Sequence, residues 1–122
     1  MKRRDFVLMA LALASLTGCS KKAKSSVILH GSPVMAFGDS VTFGTGAGAG
    51  EDWPTLLGGL TGWKIINAGI PGDTAEVGRT RIQGLLDKHK PVLVIIEIGG
   101  NDFLRRSPPG AVKQDLKALI GT

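Results

Sequence analysis

Apolar positions in this chain gather into three short runs separated by stretches of helical spacing. Pro33-Val34-Met35-Ala36-Phe37-Gly38 reads as a first strand, Trp63-Lys64-Ile65-Ile66-Asn67 as a second, and Pro91-Val92-Leu93-Val94-Ile95-Ile96-Glu97-Ile98 as a third and strongest. Between the first two, Asp52-Trp53-Pro54 followed by Leu56, Leu57 and Leu60 predicts a helix with its cap and an early proline, ending at Gly62. Between the second and third, Asp73 or Thr74 opens a segment that sets Val77, Ile82, Leu85 and Leu86 on one face and closes with Asp87-Lys88-His89-Lys90. A last helical pattern runs from about Pro109 to Ile120. Strands alternating with helices predict an α/β fold, with a parallel sheet covered by helices on both faces. The unbroken run Val92 to Ile96 predicts burial on both faces of that sheet. Trp53, Trp63 and the leucines are expected in the core.

The first 32 residues follow another logic. Lys2, Arg3 and Arg4 precede an apolar run from Phe6 to Leu16, the pattern of an export signal. Eleven residues fall short of the roughly 20 that a membrane-crossing helix needs. The run ends in Leu16-Thr17-Gly18-Cys19, which resembles the bacterial lipobox, and this resemblance implies lipid attachment at Cys19 with residues 1–18 removed. Arg3-Arg4-Asp5-Phe6-Val7 also resembles a twin-arginine export signal, although an ordinary basic leader explains the two arginines equally. Cys19 is the single cysteine, so an intrachain disulfide is excluded. Residues 19–32 read as a polar linker with Ser25 and Ser26 in it, and residues 33–122 as the folded body. The expected location is the periplasmic or outer face of a membrane, held there by the lipid.

Net charge changes the picture little. The formal +5 is concentrated near the N-terminus, whereas residues 25–122 carry nine basic and nine acidic side chains. A nucleic-acid partner is therefore not expected. No spacing of His, Cys and carboxylates suits a metal, and no cofactor is expected. Gly44-Thr45-Gly46-Ala47-Gly48-Ala49 formally fits a dinucleotide fingerprint, but it starts too far beyond the first strand, and the second strand ends in Asn67 rather than an acid.

In a parallel α/β sheet the ligand site lies beyond the carboxyl ends of the strands. Three loops meet that criterion, carrying Asp39-Ser40, Ala68-Gly69 and Gly99-Gly100-Asn101-Asp102. Ser40 is a candidate nucleophile, and Gly69 N–H and the Asn101 amide, beside Ser40 N–H, are candidate donors to an oxyanion. Asp39 and Asp102 are expected to be acceptors for nearby backbone N–H groups, Thr42 a local turn former, and Arg105-Arg106 a solvated pair.

Gly38-Asp39-Ser40, Asn67-Ala68-Gly69 and Gly99-Gly100-Asn101-Asp102, in this order and spacing, resemble the first three sequence blocks of the GDSL, or SGNH, hydrolases. The stretch Gly46 to Leu57 and Gly72-Asp73-Thr74 resemble more narrowly the branch of multifunctional acyl-CoA thioesterases, arylesterases and lysophospholipases. The resemblance implies a flavodoxin-like three-layer fold of strand order 2-1-3-4-5, with the first three strands represented here. It also implies Ser40 as nucleophile, an oxyanion hole of Ser40, Gly69 and Asn101, and a small ester or thioester substrate. The family's closing Asp-x-x-His block has no counterpart in the chain. His30 and His89 precede the first and third strands, which puts them about 15 to 20 Å from the catalytic rim at roughly 3.3 Å per residue. The expectation is thus an incomplete serine esterase, inactive and poorly soluble in this form, whose reading frame would continue for roughly 60 to 80 residues. The alternative is a non-catalytic lipid-anchored binding module on the same fold.

Overall fold

The computed structural model describes residues 26–122. The expected export signal, Cys19 and the first half of the expected linker lie outside the described residues. Three parallel strands, β1 (Pro33–Gly38), β2 (Lys64–Gly69) and β3 (Leu93–Glu97), form one sheet in the order β2-β1-β3. Among the described residues, α1 (Ser40–Phe43), α2 (Trp53–Thr61) and α3 (Ala75–His89) lie between the strands, and α4 (Gly100–Leu104) and α5 (Pro109–Ile120) follow β3.

The three longer helices begin where their chemistry dictates. Asp52 caps α2 by accepting from Thr55 N at 2.9 Å, Pro54 occupies its first turn, and Gly62 closes it in the left-handed region at φ 68°. Thr74 caps α3, and Pro109 opens α5. The Asp52 carboxyl titrates below its ordinary range because the Thr55 N–H, and then the Thr55 hydroxyl, bond to its charged form.

Side-chain alternation on β1 divides the sheet into two faces. Met35 and Phe37, both fully buried, join Ala68, Ile82 and Leu119 in the core, with Leu85, Leu86, Val94, Ile96 and Ile98 packed around it. That face is covered by α3 and α5, which an Arg79–Asp115 ion pair at 2.7 Å also links. Gly78 is what lets α3 come so close, because a Cβ there would meet Ile98, Leu119 and Phe37 at 2.8 to 3.3 Å. The opposite face takes α2, whose Gly58 lies against Ile65.

Several apolar residues are placed differently from the sequence expectation. Val77 is exposed, since Gly78 occupies the contact line of α3 and its neighbour points away. Leu60 is 86% exposed and Leu56 is exposed too, because α2 docks through its glycine side rather than its leucines. Trp53, Trp63 and Leu57 are half-buried. β3 is shorter than its apolar run, Val92 is exposed, and all five strand residues are half-buried rather than buried on both faces. β3 pairs with β1 on one side and forms an edge of the sheet made by the described residues, whereas β1 is flanked on both sides.

Candidate active site

The register of the sheet sets Gly38, Gly69 and Glu97 side by side at the carboxyl rim. The chain leaves β1 through Asp39, which caps α1 by accepting from Val41 N at 3.0 Å, so Ser40 is the first residue of a one-turn helix standing on that rim. Two close approaches hold α1 down. A Cβ on Gly38 would fall 2.2 Å from Thr42 Oγ1 and Glu97 O, and one on Gly69 would fall 2.2 Å from Phe43 N. Glycine at both positions is what lets the serine-bearing turn rest directly on the strand ends. Asn67 Nδ2 donates to Thr42 O at 2.8 Å, pinning the same turn to β2.

Thr42 does more than shape a local turn. Fully buried, its hydroxyl donates to Glu97 Oε2 at 3.0 Å, a tie between α1 and β3 across 55 positions of sequence. Burial pushes the Glu97 carboxyl above its usual range; the Thr42 bond opposes that shift and the nearby Asp39 charge adds to it.

The third loop arrives through Gly99, at φ 123°, and α4. Asn101 Nδ2 donates to Asp73 O at 2.9 Å and makes a long contact to Asp39 Oδ2 at 3.4 Å. The second contact is weak at that length, so one of the two amide hydrogens can turn to another acceptor at little cost. Asp102, buried, accepts from Ala75 N at 2.8 Å, and Asp39 is likewise a backbone acceptor, as the sequence suggested for both. Ser40, Gly69 and Asn101 thus meet at one rim. The Gly69 N–H is held on Asn67 Oδ1 at 2.9 Å, so serving an oxyanion would require it to share or exchange that partner. The two histidines are elsewhere: His30 lies against Gly62 before β1, and His89 ends α3 before β3. Arg105 and Arg106 are both exposed, with Arg105 Nη2 donating to Gly72 O at 3.0 Å.

The sites expected from sequence leave out two members of this network, Glu97 and Arg81, of which Arg81 is the more connected. Arg81 donates to Asp73 Oδ2 at 2.6 Å, Ala68 O at 2.9 Å and Gly38 O at 3.0 Å, with its guanidinium 4.1 Å from the centre of the Phe37 ring. Its signal was available in the pattern: position 81 falls on the same helical face as Gly78, Ile82 and Leu85, and a cation on an apolar face needs a buried partner. Among the described residues, no group of His, Cys and carboxylates could hold a metal, and no helix is long and apolar enough to cross a membrane.

A profile of the GDSL-like lipase/acylhydrolase family matches residues 36–122, which include all three rim loops. The chain belongs to that family. It is 32% identical over 109 residues to esterase TesA of Pseudomonas aeruginosa, covering 85% of this chain and 54% of that protein. To the thioesterase 1/protease 1/lysophospholipase L1 of Escherichia coli it is 37% identical, covering 71% of this chain and 43% of the relative. Among solved structures, the SGNH-hydrolase family esterase AlinE4 superposes with a TM-score of 0.72 at 36% identity, over 78% of this chain and 54% of that one. The chain spans about half the length of the curated relatives it matches. The three-stranded parallel sheet with its helices is an α/β architecture that matches SGNH-hydrolase structures. Lipoprotein YqeF of Bacillus subtilis is also similar, 31% identical over 91% of this chain and 46% of its own length.

Proposed function

We propose that the protein is an exported serine esterase or thioesterase of arylesterase or lysophospholipase type, working through an acyl-enzyme with Ser40 as nucleophile. The observation that carries this reading is the convergence of Ser40, Gly69 and Asn101 from three strand ends onto one rim, with α1 seated on glycines. Names of the relatives, among them an arylesterase of Vibrio mimicus, support the substrate class. In the first step Ser40 Oγ bonds to the substrate's carbonyl carbon and gives its proton to a general base. The carbonyl oxygen, now negative, takes hydrogen bonds from Ser40 N–H, Gly69 N–H and Asn101 Nδ2, and the alcohol or thiol leaves with a proton. Water then cleaves the acyl-serine and restores the hydroxyl. Neither His30 nor His89 stands at this rim, so neither is assigned as the base. No cofactor or metal enters the scheme.

Cys19 is proposed as the site of lipid attachment, with residues 1–18 as leader, 19–32 as tether and 33–122 as hydrolase body. The lipobox-like Leu16-Thr17-Gly18-Cys19 supports this, and so does the similarity to a lipoprotein. It would hold the enzyme on a membrane in the periplasm or at the cell surface. Mass spectrometry of the mature protein tests the anchor: an acylated N-terminal cysteine is expected, and a mature chain retaining Met1 contradicts it.

For the chemistry, the complete protein should hydrolyse aryl esters, acyl thioesters or lysophospholipids, and Ser40→Ala should reduce kcat by roughly 10⁴-fold or more. A well-folded complete protein that hydrolyses none of these, but binds such a compound, would favour the binding-module reading.

A further inference from the structure

The Arg81 side chain bonds directly at the roots of two of the donor loops and reaches the third through Asp73, while belonging to none of them. Arg81 sits on α3 with its side chain 18% exposed and spends three N–H groups on three targets at that rim. Nη2 donates to Gly38 O, the carbonyl from which the chain passes into Asp39 and Ser40. Nη1 donates to Ala68 O, which belongs to the same planar peptide group as the Gly69 N–H. Nε donates to Asp73 Oδ2, and the backbone carbonyl of Asp73 accepts from Asn101 Nδ2 at 2.9 Å.

We propose that Arg81 is a positioning residue that sets the mutual register of Ser40, Gly69 and Asn101 and strengthens the Gly69 N–H as an oxyanion donor. The inference rests on the reading of Gly69 and Asn101 as such donors. Its physical basis is twofold. A peptide group is rigid, so fixing the Ala68 carbonyl fixes the direction of the Gly69 N–H. A cation on that carbonyl also draws electron density through the amide and makes its N–H a better donor. The guanidinium suits this task because it is planar, holds its donors in a fixed fork and stays charged. Lysine offers a single ammonium at one point and cannot reach carbonyls on two strands and a carboxylate together. Asp73 pairs with the charge, and the Phe37 ring beneath supplies a flat seat, so the fork has one orientation.

The test uses the complete protein and compares Arg81→Met and Arg81→Lys with wild type and Ser40→Ala. Four quantities are read: thermal midpoint, kcat and KM on an aryl ester, the fraction of sites titrated by a phosphonate, and the NMR shifts of the Gly69 amide and Asn101 side-chain amide. A misplaced donor pair should lower kcat on the order of 10²-fold per titrated site while KM changes little, with partial recovery in Arg81→Lys, the variant better able to fold. The Gly69 and Asn101 amide resonances should move in both variants, while those of Gly31 and Lys64 at the far rim stay in place. If kcat per titrated site remains within about twofold of wild type and only the thermal midpoint falls, Arg81 is merely structural and the proposal is overturned. Should Ser40→Ala hydrolyse esters like wild type, the nucleophile assignment fails instead; the amide shifts still decide Arg81, and unchanged Gly69 and Asn101 resonances overturn it.

Discussion

The two rims of one sheet are fastened by different means. At the amino rim the ties are mostly main chain to main chain: Gly31 N to Gly62 O, Lys64 N to Ser32 O and Val92 N to Pro33 O, at 2.7 to 2.9 Å. Trp63 Nε1 adds a longer bond to Ile28 O at 3.3 Å. At the carboxyl rim one main-chain tie, Ile70 N to Gly38 O at 3.0 Å, is joined by many that run through side chains of Asp39, Thr42, Asn67, Asp73, Arg81, Glu97 and Asn101. Main-chain ties hold a strand end in place but offer nothing to a ligand. Side-chain ties bring charge and amide groups into a half-buried setting, which costs solvation, and every such group must be satisfied. No buried side-chain nitrogen or oxygen among the described residues lacks a partner. The difference teaches where the chain needs angular control rather than mere closure: at the rim that carries Ser40.

Both rims hang from β1, so the largest effect should come from damaging what they share. Phe37→Ala empties a fully buried position under Arg81 and against α3. It should cost about 3–5 kcal/mol of stability in chemical denaturation, with both rims loosened. Asn101→Ala separates the rims. It should lower kcat roughly 10²- to 10³-fold, about 3 kcal/mol of barrier, with the amino-rim amides unshifted by NMR. The converse cut is Trp63→Phe, which removes the indole bond to Ile28 O and should cost about 1 kcal/mol in a urea melt while kcat stays unchanged. A kcat loss in that variant would break the division between rims.

The smallest effect is one of pH. The Glu97 carboxyl titrates above its ordinary value of 4.5, mainly through burial, so between that value and the raised one the folded protein binds more protons than the unfolded chain. The stabilising contribution is full below pH 4.5 and is lost as pH rises through the raised value. Glu97→Gln keeps an acceptor for Thr42 and should remove this dependence. Stability of wild type relative to the variant should therefore fall on going from acid to neutral pH, as read by thermal midpoints across that range. A rising difference would mean that the Thr42 bond, which favours the charged form, outweighs desolvation.

What the sequence made legible follows from how local the signals were. β1 and the three longer helices announced themselves, because Asp52, Thr74, the prolines at positions 54 and 109 and Gly62 act within a turn of where they stand. The short helices α1 and α4 look like loops in the sequence, since four or five residues are too few to display a period. Asp39 and Gly44 cap α1 locally, but what seats it on the rim is remote: the bare Cα of Gly69 and the carboxylate of Glu97. Leu56, Leu60 and Val77 are exposed against the hydropathy pattern for one reason. A hydropathy pattern weighs side chains, whereas α2 and α3 make their tightest approaches at Gly58 and Gly78. Ser40, Gly69 and Asn101 could be sorted to one rim because strand ends fix the direction of each loop. The fork of Arg81 could not be counted from spacing, because its three targets come from β1, β2 and the turn before α3.

The most direct measurement is to treat the complete protein with an aryl phosphonate, digest it, and locate the adduct by tandem mass spectrometry. A single stoichiometric adduct on Ser40 that rises in step with loss of ester hydrolysis is the expected result. Hydrolysis abolished by an adduct on another residue, with Ser40 unmodified, would contradict the assignment of this rim as the active site.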